Sequence, residues 1–321
     1  MARETLLGFD IGGTKCAAVL GQADGDGVTI LGRASFPTPK NDPAAVLARL
    51  EEEARRLAEA RGVPLTAVRA LGIASGGPLD AGRGVVLGPP NLPGWDEVPV
   101  AAHFRKALGI PAFLQNDANA CALAEWRWGA GRGCRHLVFL TFGTGMGAGL
   151  ILNGRLYEGA SGLAGEVGHV RLAEDGPEGY GKRGSFEGFC SGGGLAAAAR
   201  DLAKGAAAFD PADVTARALA DAAAAGDPVA AAAFRTSARY LGRGLAVLVD
   251  LLNPERIVLG GVFARRPDLF RPIAERVLAE EAIPASLAAC RVVPAELGEA
   301  IGDYACLGVA MEGARARAGR P

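Results

Sequence analysis

Histidine is scarce in this chain, with three in 321 residues. Cysteine occurs six times but never as a CxxC pair: Cys16, Cys121, Cys134, Cys190, Cys290 and Cys306 are scattered, most of them among apolar or small residues. That spacing spells neither a zinc framework nor a disulfide scaffold, so reduced, buried thiols are expected. Apolar runs fall short of the ~20 residues needed to span a bilayer. The opening MARETLLGFD goes straight into a strand, with no apolar signal region and no cleavage site. Together these predict a cytoplasmic protein with no membrane partner. Charge excess is also missing: the formal net charge is −1, and the one basic cluster is the GARARAGR tail, read as a solvated helix end. Nucleic acid is therefore not an expected partner.

What the chain does have is a core. Half of its residues are hydrophobic and 21% are charged, and 321 residues exceed what one core usually organises, which predicts two domains. TLLGFD reads as a strand ending at Asp10, followed by the glycine turn IGGT and a second strand, KCAAVLG. Residues 42–61 have helical spacing, with Asp42 as N-cap and Pro43 in the first helical position. VRALGIAS leads into GGPLD, and PAFLQ delivers Asn116 and Asp117 into the helix ANACALAEWRWG. A second round then opens in the same way: the strand HLVFLTF, the glycine turn GTGMGAG, the strand LIL, and a tight turn at Asn153-Gly154. A long helix starts at Asp227-Pro228 and stops before Asn253-Pro254, RIVLGG is a late strand, and Tyr304–Ala318 is a closing helix. Strands alternating with helices, and halves that begin alike, predict two related α/β domains.

Three strands thus run into glycine, at FDIGGTK, FGTGMGAG and LGGVF. Any one of them alone reads equally well as a plain turn. GTGMGAG is not a dinucleotide fingerprint, because a strand and not a helix follows it, and the GxxxxGK[ST] spacing of a Walker loop is missing. Taken together they suit a polyphosphate: glycines let backbone N–H groups converge without a Cβ in the way, while Asp10, Thr14 and Thr144 add an acid and two hydroxyls. Asp117 sits where a buried strand ends, the place where ligand groups gather in open α/β sheets. Helix capping is the plainer account of an Asp there, but it does not explain Asn116, Asp117 and Asn119 at once.

The stretches DIGGTK, GGPLD, PPNLPGW, NDANA, TFGTGMGAG, AGEVGH and NPERIVLGG, running from residue 10 to residue 261, together resemble the ROK family of sugar kinases and sugar-responsive repressors. The resemblance implies an α/β fold of two actin-like (ribonuclease H-like) domains with an inter-domain cleft. The expected domains are 1–115 and 116–303, with a C-terminal helix at about 304–321 packing back on the first. It implies an ATP-dependent, glucokinase-like transfer to a hexose hydroxyl, with the 6-hydroxyl of glucose or a related hexose or hexosamine as acceptor, Mg²⁺ as cofactor, and a homodimer. By position, Asp117 is the general base, and Gly77, Asn91, Asn116, Glu166, His169 and Glu187 bind the sugar. Asp10, Gly12, Gly13, Thr14, Lys15, Gly143, Thr144, Gly145, Gly260 and Gly261 bind the nucleotide, with Asp10 meeting Mg²⁺ through the phosphates.

The same resemblance points to a departure. The family carries three cysteines after its histidine that hold a structural zinc. Here Glu178, Tyr180 and Ser185 stand in those places, and only the terminal acid, Glu187, is kept. His169 with Glu, Tyr and Ser is a poor zinc set, so no zinc is expected, and the loop is expected to be held by glycine turns and by packing of Tyr180 and Phe186. A repressor needs a DNA-binding module ahead of the kinase-like part, and only nine residues precede Asp10. A non-catalytic sugar-binding regulator is disfavoured by Asp10, Asp117 and Glu166, and an actin-like ATPase with another acceptor by NDANA and AGEVGH.

Overall fold

The computed structural model of the protein describes residues 3–24, 27–203 and 214–319. The chain divides into two compact units, Met1–Gly133 with Glu299–Pro321, and Cys134–Gly298.

The first unit is built on a five-stranded sheet. β1 (Glu4–Ile11), β2 (Lys15–Asp24) and β3 (Gly27–Pro37) form an antiparallel meander, and β4 (Val68–Ser75) and β7 (Ala112–Asn116) continue it in parallel, in the order β3-β2-β1-β4-β7. A small hairpin, β5 (Leu79–Asp80) and β6 (Val85–Val86), stands apart from the sheet. Alternation along β1 sorts its side chains by face. Leu7, Phe9 and Ile11 enter one fully buried cluster with Val46 and Leu50 of α1 (Pro43–Ala60) and Phe104 of α2 (Val100–Leu108). Burial of each such side chain is worth about 1.5–3 kcal/mol relative to exposure. Gly8 lies on the other face, and a Cβ there would fall 2.8 Å from the Cβ of Cys306 in the C-terminal helix, Ile301–Ala318. Gly72 of β4 has the same constraint against Cys306 and Ala310 backbone, so these two positions set how closely the helix approaches the sheet.

The helix after β7, α3 (Asp117–Trp128), also belongs to the first unit. The sequence reading starts its second domain at residue 116, one element earlier. The physical reason for the difference is packing: Gly308 of the C-terminal helix lies against Leu123, and Tyr304 meets the Trp128 ring at 5.9 Å. That helix begins at Ile301, slightly ahead of the expected 304, since Gly302 and Asp303 look like helix breakers in sequence. Its last expected residues, 320 and 321, lie outside the described ones.

The second unit repeats the plan. β8 (Leu137–Leu140), β9 (Ala148–Leu152) and β10 (Arg155–Leu156) are antiparallel, β13 (Arg256–Leu259) and β14 (Arg291–Pro294) are parallel to β8, and the order is β10-β9-β8-β13-β14. Each sheet therefore starts with a hairpin strand pair and grows by parallel strands on the far side of its first strand. Asn153 and Gly154 both have positive φ, 55° and 72°, as the expected tight turn requires. The helices are α4 (Phe186–Phe189), α5 (Gly192–Leu202), α6 (Ala216–Ala224), α7 (Pro228–Leu252), α8 (Gly261–Arg265), α9 (Arg271–Glu281) and α10 (Pro284–Ala289). The long helix α7 is capped as its sequence implies: Asp227 accepts the Ala230 N–H at 2.8 Å, and Asn253 closes it in the left-handed conformation. Among the described residues, no helix is long and apolar enough to cross a membrane.

Candidate functional site

In the first unit the parallel strands β1, β4 and β7 end at one edge. Their register places Ile11 beside Ser75 and Ser75 beside Asn116, so the chain leaves the sheet there in three adjacent turns. The first is the Gly12–Gly13 turn, closed by Gly12 N–H to Lys15 O at 3.2 Å. Thr38, just past β3, donates its hydroxyl to Gly12 O at 2.6 Å, and its N–H reaches Thr14 O at 3.0 Å. The second turn carries Gly76 and Gly77. Gly77 lies beside Asn116 Nδ2, and Gly76 beside the side chain of Asn91. Asn91 also presses its carbonyl on Gly13, where a Cβ would collide with it. Asp10, Gly12, Gly13, Gly77, Asn91, Asn116 and Asp117 are thus brought together, whereas Thr14 and Lys15 face solvent at the tip of the hairpin.

At the third turn the two candidate residues separate in role. Asn116 is the N-cap of α3, its Oδ1 accepting Ala118 N–H at 2.9 Å and Asn119 N–H at 3.4 Å. Asp117 follows as the first helical residue, exposed, with Oδ1 also 2.8 Å from Ala118 N. Behind them Gln115 Oε1 accepts both the Asn116 N–H at 2.8 Å and Asn119 Nδ2 at 3.1 Å, fixing the strand-to-helix corner from inside.

Burial pushes the Asp10 carboxyl up to about 6, and the negative charge of Asp117 adds to the rise against the lowering effect of Lys15. Asp303 raises it further and Arg33 opposes it, and these two are themselves joined, Arg33 Nε lying 2.9 Å from both Asp303 oxygens. The Asp10 carboxyl, with the negative charge of Asp117 acting on it, is a fit for a divalent cation, and Mg²⁺ is commonly held by one or two carboxylates plus phosphate oxygens.

In the second unit the parallel strands β8 and β13 end in register, Leu140 beside Leu259. Beyond them the 141–147 hairpin is closed by Thr141 N–H to Gly147 O at 2.9 Å and Gly147 N–H to Thr141 Oγ1 at 2.8 Å. Gly260 N–H bonds Leu140 O at 2.9 Å and Val262 N–H bonds Phe142 O at 2.7 Å. Gly261 between them has φ 59°, and any Cβ would strike Phe142 O, so glycine is required. The expected residues Gly143, Thr144, Gly145, Gly260 and Gly261 therefore cluster. The start of α5 joins them: Gly192 N–H donates to Gly143 O at 2.7 Å and Gly193 N–H to Thr144 O at 3.4 Å. Thr38, Thr141 and this helix start were not among the residues expected from the sequence. The signal for the last was SGGG, a Ser N-cap followed by three glycines. A cavity of about 230 Å³ borders the same cluster, with Ala216, Asp221, Val262 and Arg265 in its wall.

Glu166 and His169 are exposed on one short helical turn, Val167–His169, with His169 N–H on Glu166 O at 3.2 Å. Lys182 Nζ holds the His169 carbonyl at 2.7 Å. Gly168 fits against Met146 O and the Cβ of Glu187, so this turn rests directly on the glycine hairpin. Among the described residues no three His, Cys, Asp or Glu side chains are gathered for a metal, and none of the six cysteines is in a disulfide. At the positions where the resemblance leads one to expect cysteines, Glu178 pairs with Arg183 in a two-stranded ribbon, β11 (Glu178–Gly179) with β12 (Lys182–Arg183). Buried Ser185 caps α4 through the Gly188 N–H at 3.1 Å and bonds Gly179 O at 3.3 Å. Phe186 is buried as expected. Tyr180 is not: it stands at the ribbon turn, 71% exposed with φ 49°, and its ring meets only the edge of the His169 ring at 6.4 Å, so the buried hold on the loop comes from hydrogen bonds.

The chain matches the ROK family model over residues 6–310. The chain belongs to the ROK family. It is 35% identical over 276 residues to a glucokinase of Streptomyces coelicolor, covering 82% of this chain and 83% of that one. It is likewise 35% identical over 259 residues to an N-acetylmannosamine kinase of Salmonella typhi, covering 80% and 82%. A ROK family glucokinase from Streptomyces griseus, solved in complex with glucose and AMPPNP, superimposes with a TM-score of 0.74 at 31% identity, covering 96% of this chain and 99% of that one. The chain is thus a ROK sugar-kinase relative with the ROK and actin-like ATPase fold, two five-stranded mixed sheets flanked by helices.

Proposed function

We propose that this ROK protein transfers the γ-phosphoryl group of ATP to a hexose hydroxyl, with the 6-hydroxyl of glucose or a related hexose or hexosamine as acceptor. The observation that carries this reading is the division of labour at the end of β7. Asn116 is the N-cap, its Oδ1 accepting the Ala118 and Asn119 N–H groups, while the carboxylate of Asp117, exposed and with one oxygen on the Ala118 N–H, stands at the strand edge where its charge acts on Asp10.

In this reading Asp117 accepts the proton of the attacking hydroxyl as that oxygen bonds to the γ-phosphorus, and ADP leaves. By the family resemblance, Asn91, Asn116, the Gly77 turn, Glu166, His169 and Glu187 are assigned to the sugar hydroxyls as donors and acceptors. A polar set of this kind discriminates sharply, because a missing hydroxyl leaves a desolvated group unpaired. The turns at Gly12–Lys15 and Gly143–Gly145, each closed by its own first N–H, present the hydroxyls of Thr14 and Thr144 and the N–H groups that follow to the polyphosphate, and Gly260–Gly261 with the adjoining cavity receive the nucleoside. Asp10 would hold Mg²⁺ through the phosphates, and such a cation supplies charge neutralisation to the transferring group. Positioning and electrostatics supply most of the rate in phosphoryl transfer, and this chain provides both without a covalent intermediate.

The test is a screen of the purified chain with ATP and Mg²⁺ against glucose, mannose, N-acetylglucosamine and N-acetylmannosamine, measuring ADP and sugar phosphate together. Equimolar ADP and sugar phosphate with at least one of them is expected. Calorimetric sugar binding with no phosphorylation of any would instead establish a non-catalytic sugar-binding protein.

A further inference from the structure

Glu187, assigned above to the sugar, also makes a contact that sugar binding does not account for. It lies on α4, half-buried, and its Oε2 accepts the Met146 N–H at 2.9 Å. Met146 follows the Gly143–Gly145 hairpin directly. A Cβ on Gly145 would come within 2.6 Å of the same oxygen, so the hairpin is glycine at the one point where the carboxylate leans on it. The contact has support on both sides. Gly168, one residue before His169, fits between Met146 O and the Cβ of Glu187, and Gly165 O accepts the Ala148 N–H at 2.8 Å where the hairpin enters β9. On the far side the α5 start bonds Gly143 O and Thr144 O. The hairpin is therefore gripped by the two chain segments that carry Glu166, His169 and Glu187.

We propose that Glu187 is a positioning residue for the phosphoryl donor: its carboxylate holds the Gly143–Met146 backbone in the form that takes the polyphosphate, and through it sugar occupancy changes nucleotide affinity. This rests on the kinase reading above for the identity of the two ligands. A carboxylate accepting a backbone N–H is a charge-assisted bond, stronger than a neutral one. It fixes a glycine-rich segment whose unbound entropy is otherwise large. A hexose that draws on the same carboxylate changes how firmly the hairpin is held, and by thermodynamic reciprocity the nucleotide changes sugar affinity by the same factor.

The variants Glu187→Ala and Glu187→Gln separate this role from a sugar-ligand role. AMPPNP affinity is measured by calorimetry with Mg²⁺ and no sugar, and again with saturating glucose, alongside hydrogen exchange at the Met146 amide and the melting temperature. Glu187→Ala should weaken sugar-free AMPPNP binding about tenfold, expose the Met146 amide and abolish the change in affinity that glucose brings. Glu187→Gln keeps an oxygen for Met146 and should restore sugar-free AMPPNP affinity to within about threefold of wild type, while sugar affinity stays reduced. Wild-type AMPPNP affinity in sugar-free Glu187→Ala, with only sugar binding lost, overturns the proposal. Should Glu187→Ala fail to fold, Gly145→Ala displaces the same oxygen by its Cβ, and the amide exchange of Met146 reads the brace directly; an unchanged amide there also overturns it. Absence of any AMPPNP binding to the wild type would be a failure of the kinase reading instead, with the Met146 amide still reporting on the brace.

Discussion

The hydroxyl of Thr38 donates to the carbonyl of Gly12 across 2.6 Å, tying the exit of β3 to the turn that follows Asp10. A second bond, Thr38 N–H to Thr14 O, makes the tie two-point. The turn contains two adjacent glycines, so without such a tie it has many conformations to lose when it closes on an anion. Thr38→Val keeps shape and removes the hydroxyl. We predict a loss of about 1 kcal/mol in holding the turn, read as an ATP KM several-fold higher with kcat nearly unchanged. An unaltered KM would show that the turn is set by the sheet alone.

Asp117 and Asn116 should answer differently to substitution. Asp117→Asn is expected to cut kcat by ~10²–10⁴, as loss of a general base does, and to leave the melting temperature close to wild type because Asn keeps an oxygen for the Ala118 N–H and the cap bond to Asn119 N–H is made by Asn116. Asn116→Ala removes the cap and should lower stability by about 1 kcal/mol. Equal thermal shifts from the two variants would contradict the division of roles.

The raised Asp10 carboxyl has a consequence for stability. Between its ordinary value and about 6 the folded state holds this proton more tightly than the unfolded chain does. Folding stability from this group is therefore full at acid pH, falls as pH rises to about 6, and is flat above that. The size is on the order of 3 kcal/mol. In metal-free buffer, Asp10→Asn should flatten the pH dependence of the melting temperature between about 4 and 6 and stabilise the protein at pH 8. A variant that melts in parallel with wild type across that range removes Asp10 as the cause.

The 165–188 loop should not depend on zinc. Elemental analysis is expected to find no stoichiometric zinc, and chelation followed by Mg²⁺ restoration should leave melting and turnover unchanged. Ser185→Ala, which removes a buried hydroxyl with two backbone partners, should cost about 1–3 kcal/mol and loosen His169. One tightly held zinc per chain would overturn this.

Much of this protein was legible as sequence because local chemistry fixed it. Asp42-Pro43 and Asp227-Pro228 cap the helices they precede, Asn153-Gly154 can only make a left-handed turn, and a strand after GTGMGAG excludes a dinucleotide fold. The glycines, asparagine and aspartates at the strand ends were in plain view, and the fold of each unit brings them to a common sheet edge. Other features depended on partners far along the chain. The C-terminal helix claims α3 for the first unit through contacts nearly 200 positions away, as between Gly308 and Leu123. Thr38 reads as an ordinary hydroxyl until β3 pairs with β2 and brings it over Gly12. Tyr180 looks like a packing residue, yet a left-handed turn sends it outward while Ser185 takes the buried place. Glu187 is an acid in a loop motif by sequence, and only the tertiary fold sets its oxygen against Met146, because hydrogen-bond partners across 41 positions are chosen by packing and not by local propensity.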